Sequence, residues 1–149
     1  MKLISGALAV LLFMVFASCE ERSGYLEDDQ QTTVELLTDV EWLMTWADYG
    51  ALGESTFETD TDIYRFERTG KGWFAKGSWI DTEKKDGTGY FQWSFTTANF
   101  SVIRMTGYIE GYWLIEKLTP DELWVTFAQQ DPVIYPSQDN RRYKFKALK

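Results

Sequence analysis

Apolar and polar positions follow three rhythms along the chain. From Leu3 to Phe16 the residues are almost uninterruptedly apolar, with Lys2 before them and the small pair Ala17 and Ser18 after them. From Glu20 to Gln31 they are acidic, polar and nearly free of apolar side chains. From Trp42 onward, apolar and polar residues alternate in short runs separated by Gly, Asp, Asn and Pro. Alternation over four to eight residues is the pattern of a half-buried strand, and the residues between the runs are those of hairpin turns.

The alternation predicts eight strands: Trp42 to Asp48, Asp62 to Arg68, Trp73 to Ile80, Tyr90 to Thr97, Phe100 to Thr106, Gly111 to Leu118, Leu123 to Gln129 and Arg142 to Leu148. "RTGKG" at 68 to 72, "DTEKKDGTG" at 81 to 89, "TAN" at 97 to 99 and "TPDE" at 119 to 122 read as turns. The loops around 50 to 56 and 131 to 140 are longer and less regular. A brief helical turn is expected over Thr33 to Asp39, with Leu36 and Leu37 against one end of the fold. Strands joined in order by short links suit either a closed up-and-down barrel or a two-sheet sandwich. The barrel is favoured, because closure removes exposed sheet edges and short links suit a meander.

Alternation also predicts faces. Tyr64 with Phe66, then Leu123, Val125 and Phe127, then Tyr143, Phe145 and Ala147 form inward sets. In the third strand Trp73, Ala75, Gly77 and Trp79 share a side, which is expected to point inward, facing Phe91 and Trp93 of the next strand. Two small residues between two indoles would open a space for a small apolar ligand, since an eight-stranded barrel holds one small ligand or none. The alternative is that Ala75 and Gly77 make room for Phe91, Trp93 and Phe95, leaving a solid core. Arg104 faces a cavity mouth if Val102 points in, and solvent if Ile103 and Met105 do. Trp113 and Trp124 fall on doubtful or outward faces, where tryptophan can serve a partner surface or lie partly covered at a barrel end.

The apolar leader changes the picture of the whole. Its charged start, greasy middle and small residues describe a secretory signal, and the run is shorter than the roughly 20 residues a membrane helix needs. The chain's single cysteine, Cys19, follows at once. Nothing remains for a disulfide, so the fold is expected to hold by its core alone. The domain division expected is 1–18 signal peptide, 19–32 lipidated start and flexible acidic tether, and 33–149 one barrel domain.

The formal charge of -8 argues against nucleic acid as a partner. The chain contains no histidine, which removes the commonest general base and metal ligand. Glu58, Asp60, Asp62, Asp81 and Glu83 lie in or beside turns, and no phosphate loop, serine elbow or zinc spacing is present. Neither an enzyme nor a cofactor is expected, and no metal site.

Phe16, Ala17, Ser18 and Cys19 resemble a bacterial lipobox, with Phe16 where leucine is usual. The resemblance implies cleavage before Cys19, diacylation of its sulfur with palmitate-type chains and anchoring in the cell envelope, with the outer membrane expected. Glu20 and Glu21 resemble the acidic start of surface-exported lipoproteins of Bacteroidetes-type bacteria, a solvated periplasmic linker being the alternative. Trp42 and Trp46, "YRFERTGKGWF", "YWLIEKLTPDELWVTF" and the closing "RRYKFKAL" are similar to the small lipocalin-like lipoproteins of the same bacteria, although "VEWLMTW" replaces the Gly-x-Trp start of true lipocalins. That likeness implies a barrel that binds a small hydrophobic or amphipathic ligand, for which the strand faces offer Trp73, Ala75, Gly77, Trp79, Phe91, Trp93 and Arg104 as the candidate lining. The alternative is a solid-core interaction module, an inhibitor or accessory subunit of an envelope complex.

Overall fold

The computed structural model describes residues 26–57, 61–76 and 89–149. Cys19, the leader, Gly77 and Trp79 lie outside the described residues. One helix, α1 (Asp28–Leu37), precedes nine strands: β1 (Glu41–Asp48), β2 (Glu54–Thr56), β3 (Asp62–Phe66), β4 (Lys71–Lys76), β5 (Gly89–Phe95), β6 (Val102–Gly107), β7 (Gly111–Leu118), β8 (Glu122–Ala128) and β9 (Arg141–Leu148). β1 and β3 to β9 pair in sequence order, and β1 also pairs with β9. Eight antiparallel strands therefore close into the expected up-and-down barrel, and β2 is an extra strand outside it, paired with the second half of β1.

Closure along β1 and β9 is the most extensive seam, running from Glu41 opposite Leu148 to Asp48 opposite Arg142. Two bulges set its geometry. β1 carries an extra residue between Met44 and Trp46, and β7 carries one between Ile115 and Lys117. A bulge shifts the period-two count by one. Met44 and Ala47 therefore both point in while Trp46 points out, and Lys117 points out although Trp113 is buried.

The helix starts earlier than the sequence pattern suggested, inside the stretch read as a tether. Gln30 Oε1 accepts the backbone N–H of Glu27 at 3.0 Å in a capping box, Asp28 and Asp29 sit in the first turn where the helix dipole favours negative charge, and Gln31 donates to Glu35 at 3.0 Å. These local bonds suffice where apolar residues are few. At the far end Leu37 is fully buried, and its carbonyl accepts the indole N–H of Trp42 at 3.0 Å. The helix thus seals the barrel end that also carries the β3–β4, β5–β6 and β7–β8 turns.

The interior is a continuous aromatic cluster. Tyr64 lies 4.9 Å from both Phe74 and Trp113 and 5.5 Å from Phe145, ring centroid to ring centroid. Trp113 touches Phe145 at 5.2 Å and Phe66 at 5.5 Å, and Phe66 meets Phe91 and Trp93 at 5.5 Å. These are contact distances for aromatic pairs, each worth about 0.5–1.5 kcal/mol beyond the area it buries.

Candidate functional site

The face assigned to the third strand has to be corrected. Tyr64 pairs with Phe74 and Gly72 with Phe91, so Phe74 and Gly72 are the inward residues of β4. Trp73 pairs with Arg65 and Tyr90 and is half-buried on the outer side, and Ala75 shares that outer side although it is buried. Directly opposed residues share a face, and the size of Tyr64 and Phe74 decides which face is the core.

Of the residues expected to line a ligand space, Phe91 and Trp93 point in. Phe91 is buried, and its ring lies 2.5 Å from where a Cβ at Gly72 would be, so it fills the space that Gly72 leaves. Trp93 is half-buried, and its Nε1 donates to the carbonyls of Glu67 and Lys71 at 3.1 and 2.9 Å, bracing the β3–β4 turn. Ile103 and Met105 are in the core, which settles the register of β6 and leaves Arg104 exposed on the outer face. Arg104 lines a shallow outer groove of about 590 Å³ with Lys71, Gln92, Ser94 and Thr106. Trp113 is 1% exposed at the centre of the cluster, so it belongs to the core, and Trp124 is on the outer face. The described members of the expected set, Trp73, Ala75, Phe91, Trp93 and Arg104, are not gathered into one cavity.

Three other features stand out. The first is the barrel end opposite α1, where Tyr49 and Tyr143 meet edge to face at 6.2 Å. Burial holds the Asp62 carboxyl above its ordinary range, against the opposing pull of Lys76. Burial also raises the Tyr64 phenol, helped by the negative charge of Asp62, so both groups favour their neutral forms.

The second is a cross-strand row on the outer surface. Trp46, Lys144, Trp124 and Lys117 are successive register partners on β1, β9, β8 and β7. Lys144 Nζ lies 4.7 Å from the Trp46 ring and 4.2 Å from Trp124, and Lys117 Nζ lies 4.5 Å from Trp124. The two bulges bring Trp46 and Lys117 into this row. Its groove, of about 430 Å³, also holds Glu116 and Arg142. Arg142 donates to Asp48 at 2.8 Å, and this hydrogen bond holds the Asp48 carboxyl below the usual range.

The third is a set of exposed apolar side chains towards the end opposite α1. Leu52 after β1, Tyr90 at the start of β5, Tyr108 in the β6–β7 turn, and Val133, Ile134 and Tyr135 in the β8–β9 loop are 53 to 85% exposed. In the sequence the β8–β9 triplet is only part of an irregular loop. Its signal was three consecutive apolar residues between Pro132 and Pro136 with no alternation that would bury them.

Among the described residues no group of His, Cys, Asp or Glu could hold a metal ion, and no helix is long and apolar enough to cross a membrane. The fold is an antiparallel up-and-down barrel with an aromatic interior. No protein-family model matches the chain, nor does any curated protein or solved structure.

Proposed function

We propose that this chain is a lipid-anchored lipoprotein of the bacterial envelope, in the outer membrane, whose barrel works as an interaction module. The anchor rests on the order Lys2, apolar run, Ala17, Ser18 and Cys19. The interaction role rests on one observation above all: side chains occupy the interior, with Tyr64, Phe66, Phe91, Trp113 and Phe145 in mutual ring contact and Gly72 covered by Phe91. A barrel of this size that is filled by its own rings offers its outside and its loops. No catalysis is assigned.

A second reading, a small amphipathic ligand, is favoured by Asp62, Tyr64 and Tyr143 towards the barrel end opposite α1, where polar groups sit beside aromatic walls. Two experiments test the proposal. Cys19→Ala moves the protein from the membrane fraction to the soluble fraction and removes the lipid mass. Fatty acids, sterols and haem-like compounds leave the tryptophan emission unchanged; a saturable change at micromolar concentration favours the ligand reading instead.

A further inference from the structure

The outer wall over β4, β5 and β6 carries a polar patch that packing does not use. Register puts its members on one face: Lys71 is opposite Gln92 and Gln92 opposite Thr106, while Ser94 is opposite Arg104. Residues two apart on a strand share a side, so Lys71, Gln92, Ser94, Thr106 and Arg104 are contiguous. They line two adjoining grooves of about 590 Å³ each, which have Lys71, Gln92 and Thr106 in common, and the exposed Tyr90 walls the second. No aliphatic side chain and no carboxylate lines either groove.

The two cations of this patch differ from most others on the surface. Arg65 and Arg68 face Asp39, Lys117 faces Glu122, Arg142 faces Asp48 and Lys149 faces Asp121, while Lys144 lies between two indoles. Among the described residues Lys71 and Arg104 have neither a carboxylate at ion-pair distance nor a ring beneath them. At about 4.8 Å between strands and about 3.4 Å per residue their Cα atoms are about 12 Å apart, a gap that a lysine and an arginine side chain close together above Gln92 and Ser94. Acidic groups stand at the edges: Glu67 in the β3–β4 turn, which accepts from Thr69 Oγ1 at 3.5 Å, Glu110 in the β6–β7 turn, and Asp28 and Asp29 at the start of α1, which Gln30 ties to the Ala98 carbonyl of the β5–β6 turn. A chain of formal charge -8 does not gather anions through its overall field, so a saturable anion site here has to be local.

We infer that Lys71 and Arg104 form an oxyanion site on the outer wall for a free sugar acid or sugar phosphate. The carboxylate or phosphate accepts charge-assisted hydrogen bonds from the guanidinium and the ammonium. The Gln92 amide and the Ser94 and Thr106 hydroxyls both donate and accept, which suits the hydroxyls of a sugar, and Tyr90 offers the face of an amphipathic ring to the sugar ring. The site lies outside the barrel, so it goes beyond the interaction-module reading and stands whether or not the interior is solid.

The test is calorimetric titration of the full-length protein, as its own cells make it, in neutral detergent, with glucuronate, glucose 6-phosphate, glucose and inorganic phosphate. The expected result is saturable binding of glucuronate or glucose 6-phosphate with a dissociation constant below about 1 mM, phosphate at least about tenfold weaker, and no heat from glucose. Arg104→Gln and Lys71→Gln each weaken the acidic sugar by about tenfold or more, as for a lost charge-assisted hydrogen bond. Both variants keep the circular dichroism of the parent, and added salt weakens parent binding. Lys146→Gln, at an exposed cation on the opposite wall, leaves binding unchanged. No saturation by either acid up to about 10 mM, phosphate as tight as the sugars (an adventitious ion only), glucose as tight as the acids, or an equal loss with Lys146→Gln overturns the inference. Binding to phosphatidylglycerol added to the micelles, with none to the sugars, overturns it too. An apolar ligand inside the barrel would change tryptophan emission and ignore Arg104→Gln, so failure of this site and failure of the solid-barrel reading are distinct.

Discussion

The Lys144 ammonium lies 4.2 Å from the Trp124 ring centroid and is its direct partner across the β8–β9 pair. Trp46 flanks the same ammonium from the other side at 4.7 Å, so one cation spans the seam where the barrel closes. A double-mutant cycle of Lys144→Met and Trp124→Leu in urea is expected to return a coupling of about 0.5–1 kcal/mol, the range for a cation over an exposed ring. Additive effects would mean that the row is only a coincidence of register.

The bulge in β7 yields a second expectation. Glu116 is the extra residue, and its Oε1 accepts from Thr126 Oγ1 at 2.9 Å. Deleting Glu116 restores plain alternation with Lys117 still out, so the chain keeps cooperative unfolding and loses about 1 kcal/mol with the lost hydrogen bond. Deleting Val125, in a strand without a bulge, turns half of β8 inside out and abolishes the fold. Equal outcomes by thermal melting would contradict the assigned faces.

Asp62 and Asp48 have opposite pH dependence. Asp62 is raised by burial, so the folded state prefers it neutral, and its contribution falls as pH rises from the ordinary 3.8 through the raised value. Asp62→Asn therefore raises the melting temperature near neutral pH, and the advantage shrinks in acid. Asp48 is lowered by the Arg142 hydrogen bond, so its contribution is present above 3.8 and lost as pH falls through the lowered value. Asp48→Asn lowers the melting temperature near neutral pH and ceases to matter in acid. Melting curves of both variants across that range check the two signs.

Much of this was legible in the chain. All eight barrel strands, and the faces of β3, β5, β8 and β9, follow from alternation with polar residues on one side. β4 defeated that logic because Trp73 and Phe74 are both large rings, and only pairing with Tyr64 says which is inside. β1 and β7 defeated it because a bulge is invisible to a period-two count. Trp46 and Lys117 therefore reach the outer row without a sequence signal. The start of α1 was hidden by its acidic composition, although Glu27 and Gln30 carry the spacing of a capping box. Val133 to Tyr135 had no periodicity to classify, and their placement depends on the loop that Gln138 holds.

Filling of the barrel gives a substitution test as well. A Cβ at Gly72 would meet the Phe91 ring at 2.5 Å and the Arg65 carbonyl, which is backbone, at 2.7 Å. Gly72→Ala is expected to cost about 1–3 kcal/mol in urea unfolding, the range for overpacking. A neutral result would mean that Phe91 has free space to move into.

The central claim, that the barrel is solid, is tested most directly at Trp113, which is 1% exposed and touches Tyr64, Phe66 and Phe145. Calorimetric titration with indole is the measurement, on the parent and on Trp113→Ala. The expected result is no binding heat for the parent, a loss of about 3–5 kcal/mol of stability in the variant, and saturable indole binding to the cavity the variant opens. Saturable binding by the parent, with Trp113→Ala costing less than about 1 kcal/mol on the same scale, would contradict the claim.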